Sequence, residues 1–408
     1  MLRINSYTTV KFIILAAVLN IASYYTISKY FFAFKVLLGV FMNIAGILMI
    51  IFYFYLKKFI NPYISLYYKF MFFLTIFWGL VVFGRSFSTN VHDMITLFTH
   101  YLMGWVWLIP LVYVFGYRKE VWLNLFTFLT KLMLIGIFLS LLVIFIFNDL
   151  NNLFAVMKFL MFWPIILLTF FYQNKINKII AIITFIFFVI ISYLVSQRAN
   201  IIFIFIYLFF FFIEYIKKKD IHIVKKSLLI KGAFVVLLLF FINLNNVIND
   251  IKQDKSLITD TRTFLIQEFF NPRTSTENQL IFGRGALGKY FSEYFYNLEY
   301  SGVHADSPYR TVIEMGYLQM VLKGGYILAF LWFFTLLPLS IIGMLGKNLL
   351  IRMCGYYIFG FLILWIVSYY PTFSAEFVLL WIAAGTIANK KIRNLTDNEI
   401  FDLKEYHG

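Results

Sequence analysis

Residues 196–219 read SQRANIIFIFIYLFFFFIEYIKKK, from Ser196 to Lys219. Apart from Asn200 and Glu214 near its ends, the run 199–215 is apolar on every side, so it has almost no face that water could wet. Its length is close to the roughly 20 residues needed to cross a bilayer. Three lysines, Lys217, Lys218 and Lys219, close one end, and a single arginine, Arg198, stands at the other. A spanning helix with a lysine cluster at one end places that end in the cytoplasm. Arg198 then sits at the opposite, outer interface.

The rest of the chain repeats this pattern. Of its 408 residues 62% are hydrophobic and only 13% charged, with 52 phenylalanines. Soluble domains carry about 25% charged residues, so a water-exposed globule is excluded, and so is a disordered chain. Apolar runs suited to spanning occur at 11–28, 32–56, 66–84, 93–115, 121–147, 153–172, 178–195, 199–215, 228–246, 326–346, 350–369 and 373–388. The first is read as a span rather than a cleavable signal, because no small-residue cleavage site follows it. The expected architecture is an all-α polytopic membrane protein of about 12 transmembrane helices, with both termini in the cytoplasm.

Alternating those spans sorts the charges. The cytoplasmic side collects 21 of the 35 basic residues, and the short outer loops hold only Lys29, Arg85 and Arg198. The formal charge of +16 is thereby mostly a record of orientation and gives no support to nucleic-acid binding. The one cysteine, Cys354, lies inside an apolar run, which rules out an internal disulfide. No tight acidic or Cys/His cluster suggests a metal, and no cofactor is expected.

The organisation is then residues 1–246 as nine spans, 247–325 as a large outer segment, 326–388 as three spans and 389–408 as a cytoplasmic tail. The outer segment is too long for a connector and keeps enough apolar residues to fold. Helical spacing appears at 261–270 and 289–298. A further helix is expected from Arg310 to Lys323, capped by Ser307 with Pro308 in its first turn and broken by Gly324-Gly325. These pieces form a small helical cap on the membrane surface.

Ionisable groups at membrane depth mark functional hypotheses. Arg198 is pinned between two spans with almost no loop. It is either an arginine snorkelling to lipid headgroups or a clamp for diphosphate, which the planar guanidinium binds in pairs of hydrogen bonds. Arg262, Arg273, Arg284 and Arg310 add four more arginines in the outer segment, where acids (eight) and bases (six) nearly balance over 245–309. In Gly283-Arg284-Gly285 the glycines permit a tight turn or a close backbone approach to a ligand. His304 and Asp306 precede the expected capped helix, whose N-terminus would favour an anion. Histidine is suited to proton transfer near neutrality, while Asp306 is equally suited to capping. Tyr290 and Tyr294 add aromatic rings to this segment, and Glu314, one turn into the expected helix, could face a cavity or water. Lys131 and Lys158 lie inside apolar spans and are expected to pair within the bundle or snorkel, and Glu376 stands at the start of the last span.

Twelve spans, a large outer loop between late spans, and this order of motifs resemble the O-antigen polymerase and O-antigen ligase superfamily. The match lies in Ser196-Gln197-Arg198 ending a span, Arg262 heading a helix, Gly283-Arg284-Gly285, and His304-Ala305-Asp306 followed by Gly316. Ala305 stands where the ligase pattern has Asn, Tyr309 stands near its Leu, and Gly316 comes one residue late. Asp306-Ser307-Pro308-Tyr309 is closer to the polymerase form. The resemblance implies a lipid-dependent integral-membrane glycosyltransferase (GT-C-like) in the bacterial cytoplasmic membrane, with its active site facing outside. It further implies an undecaprenyl-diphosphate-linked oligosaccharide as substrate, membrane lipid as surroundings, and a chain-length regulator as a candidate protein partner. Arg198, Arg262, Arg284 and Arg310 would hold the diphosphate, His304 or Asp306 would act as base, and Tyr290, Tyr294 and Glu314 would contact the glycan, the tyrosines by stacking on sugar faces. The alternatives left open are a ligase moving polymer to a lipid A-core acceptor, and a flippase for lipid-linked sugars.

Overall fold

A computed structural model describes residues 6–26, 32–144, 157–194, 198–217, 261–271, 275–293, 296–297 and 308–401. Among them helices dominate: α1 Ser6–Thr26, α2 Phe32–Ile60, α3 Leu66–Gly84, α4 Val91–Thr99, a 3-10 helix Gly104–Tyr117, and α5 Lys119–Leu142. There follow α6 Trp163–Leu168, α7 Lys175–Leu194, α8 Arg198–Lys217, α9 Thr261–Phe270 and α10 Glu277–Phe282. The chain then continues as β1 Tyr290–Phe291, β2 Tyr309–Arg310, α11 Gly316–Met344, α12 Leu349–Val367, α13 Ala375–Ala388, α14 Lys390–Arg393 and α15 Asp397–Phe401.

Eleven of the twelve expected spans coincide with helical segments. Eight of these are long and apolar enough to cross a membrane, and three more, Ser6–Ile21, Met157–Leu168 and Ala375–Ala388, are apolar but shorter. The expected span at 228–246 lies outside the described residues. The fourth expected span differs in detail: α4 ends at Thr99, and the chain resumes as the 3-10 helix, nearly all of it buried.

The core is formed where this 3-10 helix meets α13, every residue of which is buried. The two backbones touch: a Cβ on Gly385 would lie 1.9 Å from the Tyr113 carbonyl oxygen, and one on Gly116 would lie 2.1 Å from that of Ile382. Around this contact Phe72 stacks on Tyr113 at 4.0 Å, and Trp122 Nε1 donates to Thr386 Oγ1 at 2.8 Å. At the basic end of the bundle a buried Glu214 ties α8 to α12. It accepts from Arg352 Nε at 2.9 Å, from the Tyr356 hydroxyl at 2.8 Å and from Lys217 Nζ at 3.2 Å.

The 247–325 segment departs from expectation. Of the helix expected over 310–323 only the part from Gly316 forms; Tyr309 and Arg310 instead pair antiparallel with Phe291 and Tyr290. The Gln319 side chain accepts from Ile313 N–H at 2.9 Å and donates to the Thr311 carbonyl at 3.4 Å. With these groups satisfied outside a helix, and Thr311-Val312-Ile313 β-branched, α11 begins only at Gly316, with Met315 as its N-cap. It also begins ten residues before the span expected at 326. The expected break does occur, at Gly325, whose φ of 71° interrupts the helix. The helix expected over 289–298 gives way at its start to β1. That over 261–270 forms as read.

Two substitutions test this core. Gly385→Ala would force a methyl group into the Tyr113 carbonyl, and should lower stability by about 1–3 kcal/mol or more. Glu214→Ala leaves the Arg352 guanidinium without its buried partner, a loss of about 3–5 kcal/mol in comparable cases. Size-exclusion-monitored thermal unfolding of the purified protein should show both variants melting well below wild type.

Candidate functional site

The cap is fastened to the bundle by backbone contacts that only glycine permits. Gly283 and Gly285 have φ of 73° and 81°, and the strand of chain between them lies against the kink in α11. Arg284 N–H donates to the Leu322 carbonyl and Gly285 N–H to that of Lys323, each at 2.9 Å. A Cβ on Gly283 would stand 2.4 Å from the Lys323 carbonyl oxygen, and one on Gly325 would stand 2.0 Å from that of Ile281. The close approach anticipated at Gly283-Arg284-Gly285 is therefore to the chain itself. From α3, Arg85 donates to the carbonyls of Phe282 (2.6 Å) and Gly283 (3.0 Å), and Trp78 Nε1 donates to that of Gly324 at 2.7 Å. Buried Lys323 closes the joint by donating to the Gly288 carbonyl at 2.8 Å.

This joint gives several expected site residues structural duties. Arg284 donates to the Lys289 carbonyl at 2.6 Å and to Ser275 Oγ at 2.7 Å, and burial pulls its pKa down. Tyr290 is fully buried and packs edge-on against Phe269 at 5.8 Å. Its ring is thus a core element with no face open to a sugar, a correction to the sequence reading. Burial raises its phenol to about 12, the nearby Arg310 guanidinium working in the opposite direction. Arg310 pairs with Glu314 at 3.5 Å.

The remaining expected residues divide in two. His304, Asp306 and Tyr294 lie outside the described residues, and the helix N-terminus expected beside His304 and Asp306 stands at Gly316 instead. Arg198 and Arg262 are placed by their backbones: each opens a helix, α8 and α9, within its first two residues.

One cavity, of about 300 Å3, stands out at the end of the bundle. Ala199 and Asn200, immediately after Arg198, form part of its wall, together with Lys158, Glu314, Tyr369 and Glu376. Apart from Arg198 and Lys158, the helices that reach it carry basic residues at the other end: Lys217 closes α8, Arg352 stands near the start of α12, and Lys390 and Lys391 follow α13. Lys158 Nζ lies 3.4 Å from Glu376 Oε1, with the carboxylate almost wholly buried. The Tyr369 hydroxyl donates to Asn200 Oδ1 at 2.8 Å. Tyr369 has φ of 54°, an uncommon conformation for a residue with a Cβ and one that concentrates at functional sites. Burial and the neighbouring Glu376 push its phenol well above the ordinary value, so at neutral pH it is a protonated hydrogen-bond donor.

Sequence reasoning named Lys158, Glu314 and Glu376 without joining them, and missed Asn200 and Tyr369. Lys158 and Glu376 are 218 residues apart, so no local spacing links them. The only available signal was that each is ionisable in an apolar run. Pairing within the bundle, one of the two outcomes expected for Lys158, is what occurs.

Compared with models of known families, with curated proteins and with solved structures, the chain matches none.

Arg85→Ala should release the end of α10 and the Gly283 carbonyl. Each hydrogen bond to a charged donor contributes about 1.5–3 kcal/mol. Limited proteolysis should then cut residues 275–293 at least about tenfold faster than in wild type, with the transmembrane core still resistant.

Proposed function

We propose that the protein is a membrane glycosyltransferase of the polysaccharide-polymerase kind, which transfers a growing glycan from undecaprenyl diphosphate to a lipid-linked repeat unit at the outer face of the bacterial cytoplasmic membrane. The observation that carries this reading is the cavity. It lies directly behind Arg198, has Glu314 of the outer segment in its wall, and opens at the end of the bundle away from the basic clusters. An ionisable cavity at a helix-bundle end, beside lipid, suits a substrate with a polar head and an apolar tail.

The chemistry follows from such a substrate. The bond between the anomeric carbon and the diphosphate oxygen breaks, and a bond from the acceptor hydroxyl oxygen to that carbon forms. Arginines stabilise the diphosphate as it departs on its lipid. Arg198 and Arg262, each at the head of a helix, are assigned this role, while Arg284 and Arg310 are engaged within the protein. The acceptor proton passes to His304 or Asp306 as general base. No nucleotide sugar is required.

Purified protein given a lipid-diphosphate repeat unit alone should produce a ladder of longer products. Arg198→Ala and Arg262→Ala should each reduce that product at least about a hundredfold, the scale of losing one electrostatic stabiliser of a transition state, with folding unchanged. Product only when a lipid A-type acceptor is added would make it a ligase. Movement of intact substrate across liposomes without bond formation would make it a flippase.

A further inference from the structure

We infer that the cavity between Lys158, Glu314 and Glu376 is a subsite for a single neutral sugar ring, and that the diphosphate of the substrate stays outside it. The inference rests on the glycosyltransferase reading and assigns a part of the substrate to a part of the site.

Size is the first argument. About 300 Å3 stands at the lower end of the range for small-molecule sites, room for one compact ring. Charge is the second. The charges of the described wall are already paired, Glu376 with Lys158 and Glu314 with Arg310. Cations that already face a carboxylate give a diphosphate little to gain, whereas hydroxyl groups meet both donors and acceptors there. The third argument is the geometry of the ion pair. At 3.4 Å, Lys158 and Glu376 are farther apart than the roughly 2.7–2.9 Å of a tight charge-assisted hydrogen bond. A sugar hydroxyl can donate to the Glu376 carboxylate while accepting from Lys158, bridging the pair without breaking it. Aromatic rings complete the wall: Tyr101, Tyr370 and Phe377 line the cavity beside Tyr369, and flat apolar faces next to paired polar groups are what a pyranose ring presents to its binder. Tyr369, with its strained backbone and its hydroxyl fixed on Asn200, sets the shape of that wall in advance of binding.

The position adds a consequence for mechanism. Ala199 and Asn200 belong to the wall and Arg198 immediately precedes them. A ring held in the cavity has its diphosphate-bearing carbon directed towards the start of α8, where an arginine is stationed.

The test uses full-length protein in lipid nanodiscs and saturation-transfer NMR. The probes are methyl glucoside, methyl galactoside, methyl mannoside, methyl N-acetylglucosaminide and inorganic pyrophosphate. At least one glycoside should bind wild type and resist displacement by pyrophosphate. The double variant Lys158→Met/Glu376→Gln removes both charges and so leaves neither buried and unpaired. It should bind that glycoside at least about tenfold more weakly, given the strength of hydrogen bonds to charged groups. Glu314→Gln changes only a largely exposed side chain and leaves folding intact, so it checks the same point independently, with a loss of about threefold. Failure of every glycoside to bind, displacement by pyrophosphate, or unchanged binding in both variants would overturn the subsite. Sugar binding lost in the variants, without any ladder from wild type, would overturn the polymerase reading and leave the subsite standing.

Discussion

The fold depends on two helical backbones touching where only glycine allows it. Gly385 and Gly116 bring α13 and the 3-10 helix Gly104–Tyr117 into contact along the centre of the bundle. In lipid, helices gain little by hiding apolar side chains from one another, since the solvent is equally apolar, so close backbone packing and internal hydrogen bonds carry association. The Trp122–Thr386 hydrogen bond and the Phe72–Tyr113 stack build outward from that contact. Because α13 begins at Ser374–Phe377, in the cavity wall, the packing that fixes the core also fixes one side of the site.

A second glycine-dependent contact fastens the outer segment. Gly283, Gly285 and Gly325 all adopt positive φ, and the polar backbone freed at the kink in α11 is taken up by Arg284 N–H, Gly285 N–H, Arg85 and Trp78. Irregular backbone near a membrane is tolerable only when every polar group finds a partner. The kink and the cap satisfy each other. This joins the 277–293 stretch to α3 and α11 and leaves Glu314, just before α11, in the cavity wall.

Much of the architecture was legible because membrane spans announce themselves by composition. Eleven of twelve expected segments coincide with helices, since an apolar run of that length has few alternatives in lipid. The outer segment was less legible. The helix predicted from Arg310 starts only at Gly316, because Tyr309–Arg310 found a strand partner upstream and Gln319 satisfied Thr311 and Ile313, neither of which local spacing reports. The arginines divide likewise. Arg198 stood out through its place between two spans, and its backbone does adjoin the cavity. Arg284 looked equal to it in sequence, yet its guanidinium braces Ser275 and Lys289.

The sequence by itself determined the solvent, the helical class and the positions of most spans, because hydrophobicity and positive-inside charge are properties of local segments. It also marked which ionisable residues are costly at membrane depth. Only the tertiary structure decided which of them meet. Lys158 and Glu376 come from helices far apart in the chain, Asn200 and Tyr369 likewise. Their convergence on one cavity follows from helix packing across long sequence distances, which no local pattern encodes.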